Sequence, residues 1–415
     1  MRGGLVVGTA AFSVFVGTAG AAGAGAVVGT DGAVPYRTAP GATAVQGSVS
    51  STDGPTLKAG GVYTDSLKPG ERKYYTVELD AQSSAYVSAV AAPAPGSSMG
   101  LKDGIDVSLQ AADGTSCGTG RHRSFLSAGG AYPVADYAER IVKAGGACGA
   151  AGTYRFVVER GDAGGGDGAP VPVELKYVSE PPQRGENDGP TAPGSWSSQA
   201  PSELPRGEAE RVAGGSGFND AAELRAGVWK DELRPGETHF YRVSVDAGEQ
   251  LFADAEFGAA PAPGPFVVSG VRVGLSNAAR GYVMNKTGPY QGKPATLSLA
   301  TPPAAYGSGT GGEAARGMRF AGWYYLQVSL NPKVRQAGGV PVTLRVEVAG
   351  ARKADQGAGA GKTQNGVGGE LVAAAGNSGR RNGRMRMLGY AGIGTGSALL
   401  VGLGAWTFIA RRRDG

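Results

Sequence analysis

The sequence contains few of the side chains on which most catalytic sites depend. Its 415 residues include two histidines and two cysteines, and only 18% of the residues are charged. His122 lies in an Arg-His-Arg triplet with Ser124 nearby, which we interpret as a solvated loop. His239 has Lys73 at the equivalent position of an internal repeat, so we expect it to face outward from a strand. No G-x-S-x-G motif marks a nucleophilic serine, and these absences argue against an enzyme that uses nucleophilic catalysis.

Cofactor, metal and nucleic-acid sites are not predicted either. The segment GAGAGKT (357–363) resembles a phosphate-binding loop, but Gln356 stands where that motif requires a glycine. A calcium site needs about six to eight oxygen ligands, and the few carboxylates after Ile105 have no counterpart in the second half of the chain. The net charge of +5 includes several arginines near the C-terminus and leaves no basic stripe in the middle. We expect no cofactor, no metal ion and no nucleic-acid partner.

The two cysteines, Cys117 and Cys148, are predicted to form a disulfide, because an oxidising exterior favours pairing. Closing this loop would stabilise the fold by roughly 3–4 kcal/mol in the chain-entropy model. Two free buried thiols are the alternative.

Uncharged apolar runs occur at both ends of the chain and predict its location. Residues 1–26 have the pattern of a secretory signal peptide, with Ala24-Gly25-Ala26 as a small-residue cleavage site; an uncleaved anchor is the alternative. Residues 387–410 are long enough to cross a bilayer as one helix, and a buried soluble helix is the alternative. This arrangement predicts a single-pass protein of the cell membrane, with its ectodomain outside the cell and a cytoplasmic tail at 411–415.

Arginines flank the predicted span on both sides. The stop-transfer residues are Arg411, Arg412 and Arg413, and the juxtamembrane cluster before the span contains Arg380, Arg381, Arg384 and Arg386. This cluster is either a site that attracts anionic lipid or wall polymer or a plain flanking segment.

One segment of the chain occurs twice. GVYTDSLKPGERKYYTVELDA (61–81) returns as GVWKDELRPGETHFYRVSVDA (227–247), with 11 of 21 positions identical. Four further blocks, among them AAPAPG at 91–96 and 259–264, return in the same order. The spacing indicates a duplicated domain rather than a short solenoid repeat.

Apolar residues alternate within each copy, which predicts strands. Tyr75, Val77 and Leu79 fall on one face of a strand that follows a Pro-Gly turn, and the second copy repeats this pattern. Further strands are expected around 85–90, 105–109, 153–159 and 171–178. The fold class is mainly β, with two tandem β-sandwiches. The predicted boundaries are sandwich 1 at 50–178, a Pro/Gly/Glu-rich linker at 179–213, sandwich 2 at 214–350 and a flexible Gly-rich stalk at 351–386.

The repeated pattern resembles the bacterial pre-peptidase C-terminal (PPC) domain. The residues that carry the resemblance lie at the start of each copy: Asp65, Leu67, Pro69, Gly70, Glu71, Tyr75 and Val77, with Asp231, Leu233, Pro235, Gly236, Glu237, Tyr241 and Val243. A later Ala-Gly-x-Tyr strand, at 151–154 and 321–324, completes the pattern. The resemblance implies a jelly-roll-like β-sandwich in each copy. The Asp-rich strand of the family is reduced in the first copy and absent from the second. The whole arrangement resembles single-pass membrane proteins of high-GC actinobacteria.

Two functions remain open on this evidence. The first is a non-enzymatic surface protein that displays two binding modules for cell-wall polymer, carbohydrate or an envelope protein, with tethering that raises the effective concentration of two weak sites. Its candidate contact residues are Tyr63, Tyr74, Trp229 and Phe240, which are equally compatible with core or edge packing. The second is a structural or accessory subunit of a membrane or secretion assembly.

Overall fold

The protein is mainly β, and its strands fall into two groups that follow the sequence repeat. A computed structural model describes residues 32–126, 129–142, 145–146, 148–181, 204–260, 264–305, 312–334 and 338–350. The predicted signal peptide, stalk, membrane span and tail lie outside the described residues, and so do both arginine clusters. Among the described residues, no helix is long and apolar enough to cross a membrane.

The described part of the first copy contains ten strands in two five-stranded sheets. In chain order they are β1 (Thr43–Ala44), β2 (Thr56–Leu57), β3 (Val62–Leu67), β4 (Arg72–Leu79), β5 (Ser84–Ala91), β6 (Gly104–Ala111), β7 (Arg121–Ser124), β8 (Val134–Arg140), β9 (Gly152–Arg160) and β10 (Val171–Glu180). We call β1-β3-β10-β5-β8 the front sheet and β2-β4-β9-β6-β7 the back sheet.

The second copy repeats this arrangement strand for strand. Its described elements are β11 (Glu210–Arg211), β12 (Ala222–Leu224), β13 (Gly227–Leu233), β14 (Thr238–Val245), β15 (Gln250–Phe257), β16 (Val267–Ser276), β17 (Tyr282–Tyr290), β18 (Ala295–Ala300), a short helix α1 (Glu313–Gly317), β19 (Gly322–Leu330) and β20 (Val340–Ala349). The front sheet is β11-β13-β20-β15-β18 and the back sheet is β12-β14-β19-β16-β17. The sequence repeat therefore reflects the duplication of a complete two-sheet unit.

Each pair of sheets encloses its own apolar core, as the alternating pattern predicts. Tyr75, Val77 and Leu79 of β4 are buried between the sheets of the first copy. The strands expected from sequence lie within β5, β6, β9 and β10. The ends of the copies differ from the sequence boundaries: β1 pairs with β3 from Thr43 onward, and β11 pairs with β13 from within the predicted linker.

The repeated aspartate explains why the opening motif takes this form. In the first copy, Asp65 accepts hydrogen bonds from the Gly47 backbone amide at 2.7 Å and from the Tyr75 hydroxyl at 2.8 Å. Asp231 accepts the equivalent bonds from Gly214 and Tyr241 in the second copy, at 2.9 and 2.5 Å. The carboxylate therefore joins the incoming chain to the back sheet. The motif is accounted for by folding and does not by itself indicate a ligand site.

His239 is not the outward-facing residue expected from sequence. Its side chain is 18% exposed, and Nδ1 lies 2.7 Å from the Asp231 carboxylate while Nε2 lies 3.5 Å from that of Glu237. Lys73 makes the equivalent ion pair with Asp65 at 2.8 Å in the first copy. Burial opposes the imidazolium charge, but the bonds to both carboxylates outweigh burial and raise the pKa of His239 to about 9.

The stability of the protein is therefore expected to fall at alkaline pH. A histidine whose pKa is raised on folding stabilises fully below its unfolded value of 6.5, and this contribution is lost as the pH rises through about 9. We expect urea denaturation to show a loss on the order of 2 kcal/mol between about pH 6 and pH 10. His239→Gln should remove this dependence, and His239→Lys should move the loss to higher pH. Equal pH profiles for the wild type and His239→Gln would contradict the assignment.

The two cysteines form the predicted disulfide, and the alternative of free thiols is wrong. Cys117 and Cys148 are 31 residues apart, and their Cα atoms are separated by 5.5 Å. The Cys117 amide donates to the carbonyl of Leu109 at the end of β6, and the hydroxyl of Tyr154 on β9 donates to the carbonyl of Cys148 at 3.0 Å. The bond therefore fastens a loop between β8 and β9 to the edge of the back sheet.

Removal of the disulfide is expected to cost about 3–4 kcal/mol of folding free energy, because the unfolded chain regains the entropy of an open loop. The double variant Cys117→Ala/Cys148→Ala should show this loss in urea denaturation. A reducing agent should bring the wild type to the same value and leave the variant unchanged. A variant as stable as the oxidised wild type would contradict the expectation.

Candidate functional site between the two copies

The four aromatic residues predicted to contact a ligand lie on four different sheets. Tyr63 is buried in the first core, where its hydroxyl accepts a hydrogen bond from the Lys58 amide. Phe240 is fully buried. Tyr74 and Trp229 are half-buried, on the back sheet of the first copy and the front sheet of the second. The structure does not bring the four together as one platform, and packing is the role of Tyr63 and Phe240.

Phe240 is buried because the two copies pack against each other. The front sheet of the first copy covers the back sheet of the second. One apolar cluster joins Val90 and Ala135 of the first copy to Phe218, Phe240 and Tyr325 of the second. The rings of Phe218 and Phe240 lie 5.1 Å apart, and the ring of Tyr36, from the segment before the first copy, lies 5.7 Å from Phe240.

A second apolar cluster lies across the same interface. Tyr86, Tyr137 and Val178 of the first copy contact Ala279 and Phe320 of the second. The ring centroids of Tyr86 and Phe320 are 4.9 Å apart. The close approach of the copies also requires a glycine.

That glycine is Gly281, at the start of the chain segment leading into β17. A Cβ atom at this position would lie 1.8 Å from Cε1 of Tyr137, so a side chain here would force the buried Tyr137 ring or this segment out of place. The linked copies therefore form one packed unit and not two independent modules on a linker.

A buried ion pair lies at the centre of the interface. The Glu174 side chain on β10 is fully buried and forms a salt bridge with Arg280 of the second copy, whose side chain is 3% exposed. Glu174 also accepts hydrogen bonds from the Ala39 amide at 2.8 Å and from Nδ2 of Asn219 at 3.1 Å. Arg280 in turn donates to Oδ1 of Asn219 at 2.7 Å. The carboxylate thus joins the N-terminal segment and both copies.

A second charged group lies nearer to the edge of the interface. Arg123 on β7 donates to Asp136 through Nε at 2.6 Å, forms a salt bridge with Glu313 of α1, and lies over the ring of Tyr282 at 3.9 Å. Burial raises the pKa of Asp136 even though Arg123 and the Tyr282 amide act in the opposite direction. This group fixes β7 and β8 of the first copy against β17 of the second.

A small cavity opens beside this group. It has a volume of about 120 Å³, and both copies line it: His122, Arg123 and Ser124 from the first, and Arg272, Ser276 and Gln327 from the second. Its position between two domains and its mixed lining are typical of small-ligand sites. Sequence reasoning did not find it, because the lining residues meet only when the two copies pack.

Arg272 is the most buried charge of the cavity. Its residue is 4% exposed. Nη1 and Nη2 both lie 3.3 Å from Oε1 of Gln327, and Nε has no hydrogen-bond partner within the part of the chain that the structure describes. Burial lowers the pKa of Arg272 from 12.5 to about 10, which leaves the guanidinium protonated at neutral pH. The cavity therefore carries a fixed positive charge.

His122 lies on strand β7, not in the solvated loop predicted from sequence. Its imidazole is 53% exposed, and Nδ1 lies 3.0 Å from the Asp106 carboxylate. The His122–Asp106 pair therefore resembles a base that is oriented by an acid. The described contacts include no hydrogen bond from Ser124 to this imidazole, so the pair has no nucleophile attached to it. Across the described ranges, no group of three or more His, Cys, Asp or Glu residues is placed to hold a metal ion.

Comparison with known proteins gives no family. No protein-family model matches the sequence, and no curated protein matches it. Among solved structures, the chain is similar to a protein of Burkholderia cenocepacia at 12% identity (71% of this chain, 82% of that one, TM-score 0.17). The tandem CBM22 modules of Paenibacillus barcinonensis Xyn10C match at 9% identity (73% and 90%, TM-score 0.19). The tandem CBM51 modules of a Streptococcus pneumoniae family 98 glycoside hydrolase match at 9% (68% and 83%, TM-score 0.18).

Proposed function

We propose that the chain is a non-enzymatic cell-surface protein whose two PPC-like, jelly-roll-type sandwiches act as one rigid binding unit on a membrane-anchored stalk. The observation that carries this proposal is the interface between the copies, with its buried Glu174–Arg280 pair and two aromatic clusters. A packed pair presents one composite surface in a fixed geometry, so less entropy is lost on binding than with two tethered modules. The signal peptide predicted at 1–26 and the span predicted at 387–410 would place this unit outside the cell.

The ligand in this proposal belongs to the cell envelope and is a wall polymer or an envelope protein. Purified full-length protein should co-sediment saturably with cell-wall material, and binding should survive about 0.5 M salt, at which purely surface electrostatic attraction is largely screened. Wall material stripped of anionic polymers shows whether those polymers are the ligand. No sedimentation with either preparation would overturn the binding role.

The membrane anchor needs a separate test. The full chain should remain in the membrane pellet after alkaline carbonate extraction, and deletion of 387–410 should release it. Recovery of the full chain in the supernatant would contradict the anchor and leave the wall-binding result unaffected.

A partner subunit of an envelope assembly is the second candidate function. It is supported by an exposed apolar pair at the start of β16, where Phe266 is 63% exposed and Val268 is 72% exposed. Exposed apolar residues close together are typical of protein contact sites. Chemical crosslinking in cells that traps the wild type but not a Phe266→Ser/Val268→Ser variant would favour this function over wall binding.

A further inference from the structure

Among the described residues, no carboxylate is paired with Arg272. Its guanidinium is buried on the outer face of β16, beneath the first copy, and no described carboxylate lies within ion-pair distance of it. Its contacts are the two long bonds to Gln327 and a tyrosine ring, that of Tyr132, at 5.9 Å. Burying an unpaired charge is costly, so this arrangement requires an explanation.

Two other buried arginines, Arg160 and Arg280, are paired with carboxylates, whereas the buried Arg140 donates to the backbone carbonyl of Asp80 at 2.6 Å. Arg160 is fully buried and donates to both oxygens of Asp103, at 2.9 and 2.8 Å. Arg280 is paired with Glu174. For Arg160 and Arg280, a carboxylate of the protein itself neutralises the guanidinium. At Arg272 the protein leaves the corresponding space open as the cavity.

The cavity has the size and the lining that an anion needs. A volume of about 120 Å³ corresponds to roughly four water molecules, which is enough for a carboxylate, phosphate or sulfate group but small for a whole organic ligand. Gly274 leaves room for the guanidinium itself, because a Cβ there would lie 2.5 Å from Nη2 of Arg272. Ser124 and Ser276 line the same cavity from opposite copies. The Ser276 hydroxyl accepts a hydrogen bond from Nε2 of Gln327 at 3.0 Å and, like that of Ser124, has a proton to donate.

We propose that this cavity is an oxyanion-binding site, in which Arg272 supplies the charge and the serine hydroxyls supply hydrogen bonds. The ligand is a carboxylate or a phosphate group, either free or as the acidic end of a larger molecule. The site is composite, so it exists only while the copies are packed. This proposal rests on the proposed binding role and specifies the chemistry of the ligand that the protein would bind.

Thermal unfolding of the full-length protein in acetate, phosphate and sulfate, each compared with chloride at equal ionic strength, tests the proposal. An anion that binds the folded state raises the unfolding midpoint in a concentration-dependent way. We expect at least one of the three anions to do so, and Arg272→Gln to weaken its apparent affinity by at least about tenfold. A response to acetate alone identifies a carboxylate site, and a response to phosphate and sulfate identifies a tetrahedral one.

The matched control is Arg345→Gln, which removes a partly exposed arginine from the front sheet of the same copy, where it is paired with Glu256 of the adjacent strand. This variant should keep the full anion response. Because phosphate and sulfate also stabilise proteins without a site, only the difference between Arg272→Gln and Arg345→Gln counts. Without anions, Arg272→Gln should unfold at the wild-type midpoint or above it, since the variant no longer buries an unpaired charge.

Three outcomes would overturn the proposal: no anion response beyond that of chloride, an equal response in Arg272→Gln, or a large loss of stability in both Arg272→Gln and the charge-keeping Arg272→Lys without any anion effect. Wall binding that is unchanged in Arg272→Gln, together with no anion response, would remove the anion site and keep the proposed function. An anion response without wall binding would keep the anion site and remove the proposed wall-binding function.

Discussion

Replacement of Glu174 by alanine is expected to lower the free energy of unfolding by about 3–5 kcal/mol. The carboxylate is fully buried and holds Arg280, the amide of Asn219 and the backbone amide of Ala39. Its removal leaves the Arg280 charge buried without a counter-charge, which is the costly way to break an ion pair. Urea denaturation followed by tryptophan fluorescence measures the loss.

Glu256→Ala is the matched control for this substitution. Glu256 forms a 2.8 Å ion pair with Arg345 on the front sheet of the second copy, but its side chain is 40% exposed. We expect a cost below about 1 kcal/mol there, because water screens the pair. Glu174→Gln should fall between the two, since the amide keeps hydrogen-bonding capacity but not the charge. Equal costs at positions 174 and 256 would show that the copies do not bury Glu174 in solution.

Much of the fold could be predicted because the signals are local. Alternation in β4 and β14 identified the strands, the Pro-Gly pairs identified the turns, and the repeat identified the duplication. The disulfide followed from the number of cysteines and the expected compartment. The role of His239 was missed because its partners, Asp231 and Glu237, come from a neighbouring strand and turn, and the sequence alone does not show that all three converge.

The interface between the copies corresponds to a difference in sequence between equivalent strands, which becomes apparent only when the two copies are compared. On the outer face of β5 the first copy has Ser88 and Val90, whereas the equivalent positions of β15 are Asp254 and Glu256; the third outer position is aromatic in both copies, Tyr86 and Phe252. A strand that is apolar on both faces is buried on both. The difference between two copies of one domain therefore marks the surface that is covered in one copy and free in the other.

The cavity could not be predicted in this way, because its lining depends on how the two copies dock. Arg272 occupies the position that Asp106 has in the first copy, where the side chain faces solvent. Only the covering strands β7 and β8 turn this polar position into a buried one. A sequence shows which residues share a strand face, but not which edge of a second sheet will lie over them.

The same comparison of copies gives the sharpest test of the interface. Phe240 and Tyr74 occupy equivalent positions on β14 and β4, and both face away from the core of their own copy. Phe240 is fully buried against Tyr36 and Phe218, while Tyr74 is half-buried. Phe240→Ala is expected to cost about 3–5 kcal/mol, and Tyr74→Ala below about 1 kcal/mol.

The two substitutions remove an aromatic residue from the same strand position, so the change in strand propensity is similar in both and largely cancels in the comparison. What remains is the free energy of packing one copy on the other. Urea denaturation of both variants gives this difference directly, and Phe240→Ala should also broaden or divide the transition as the copies become less strongly coupled. A difference below about 1 kcal/mol would mean that the copies act as separate modules in solution, and the composite cavity with Arg272 would then lose its structural basis.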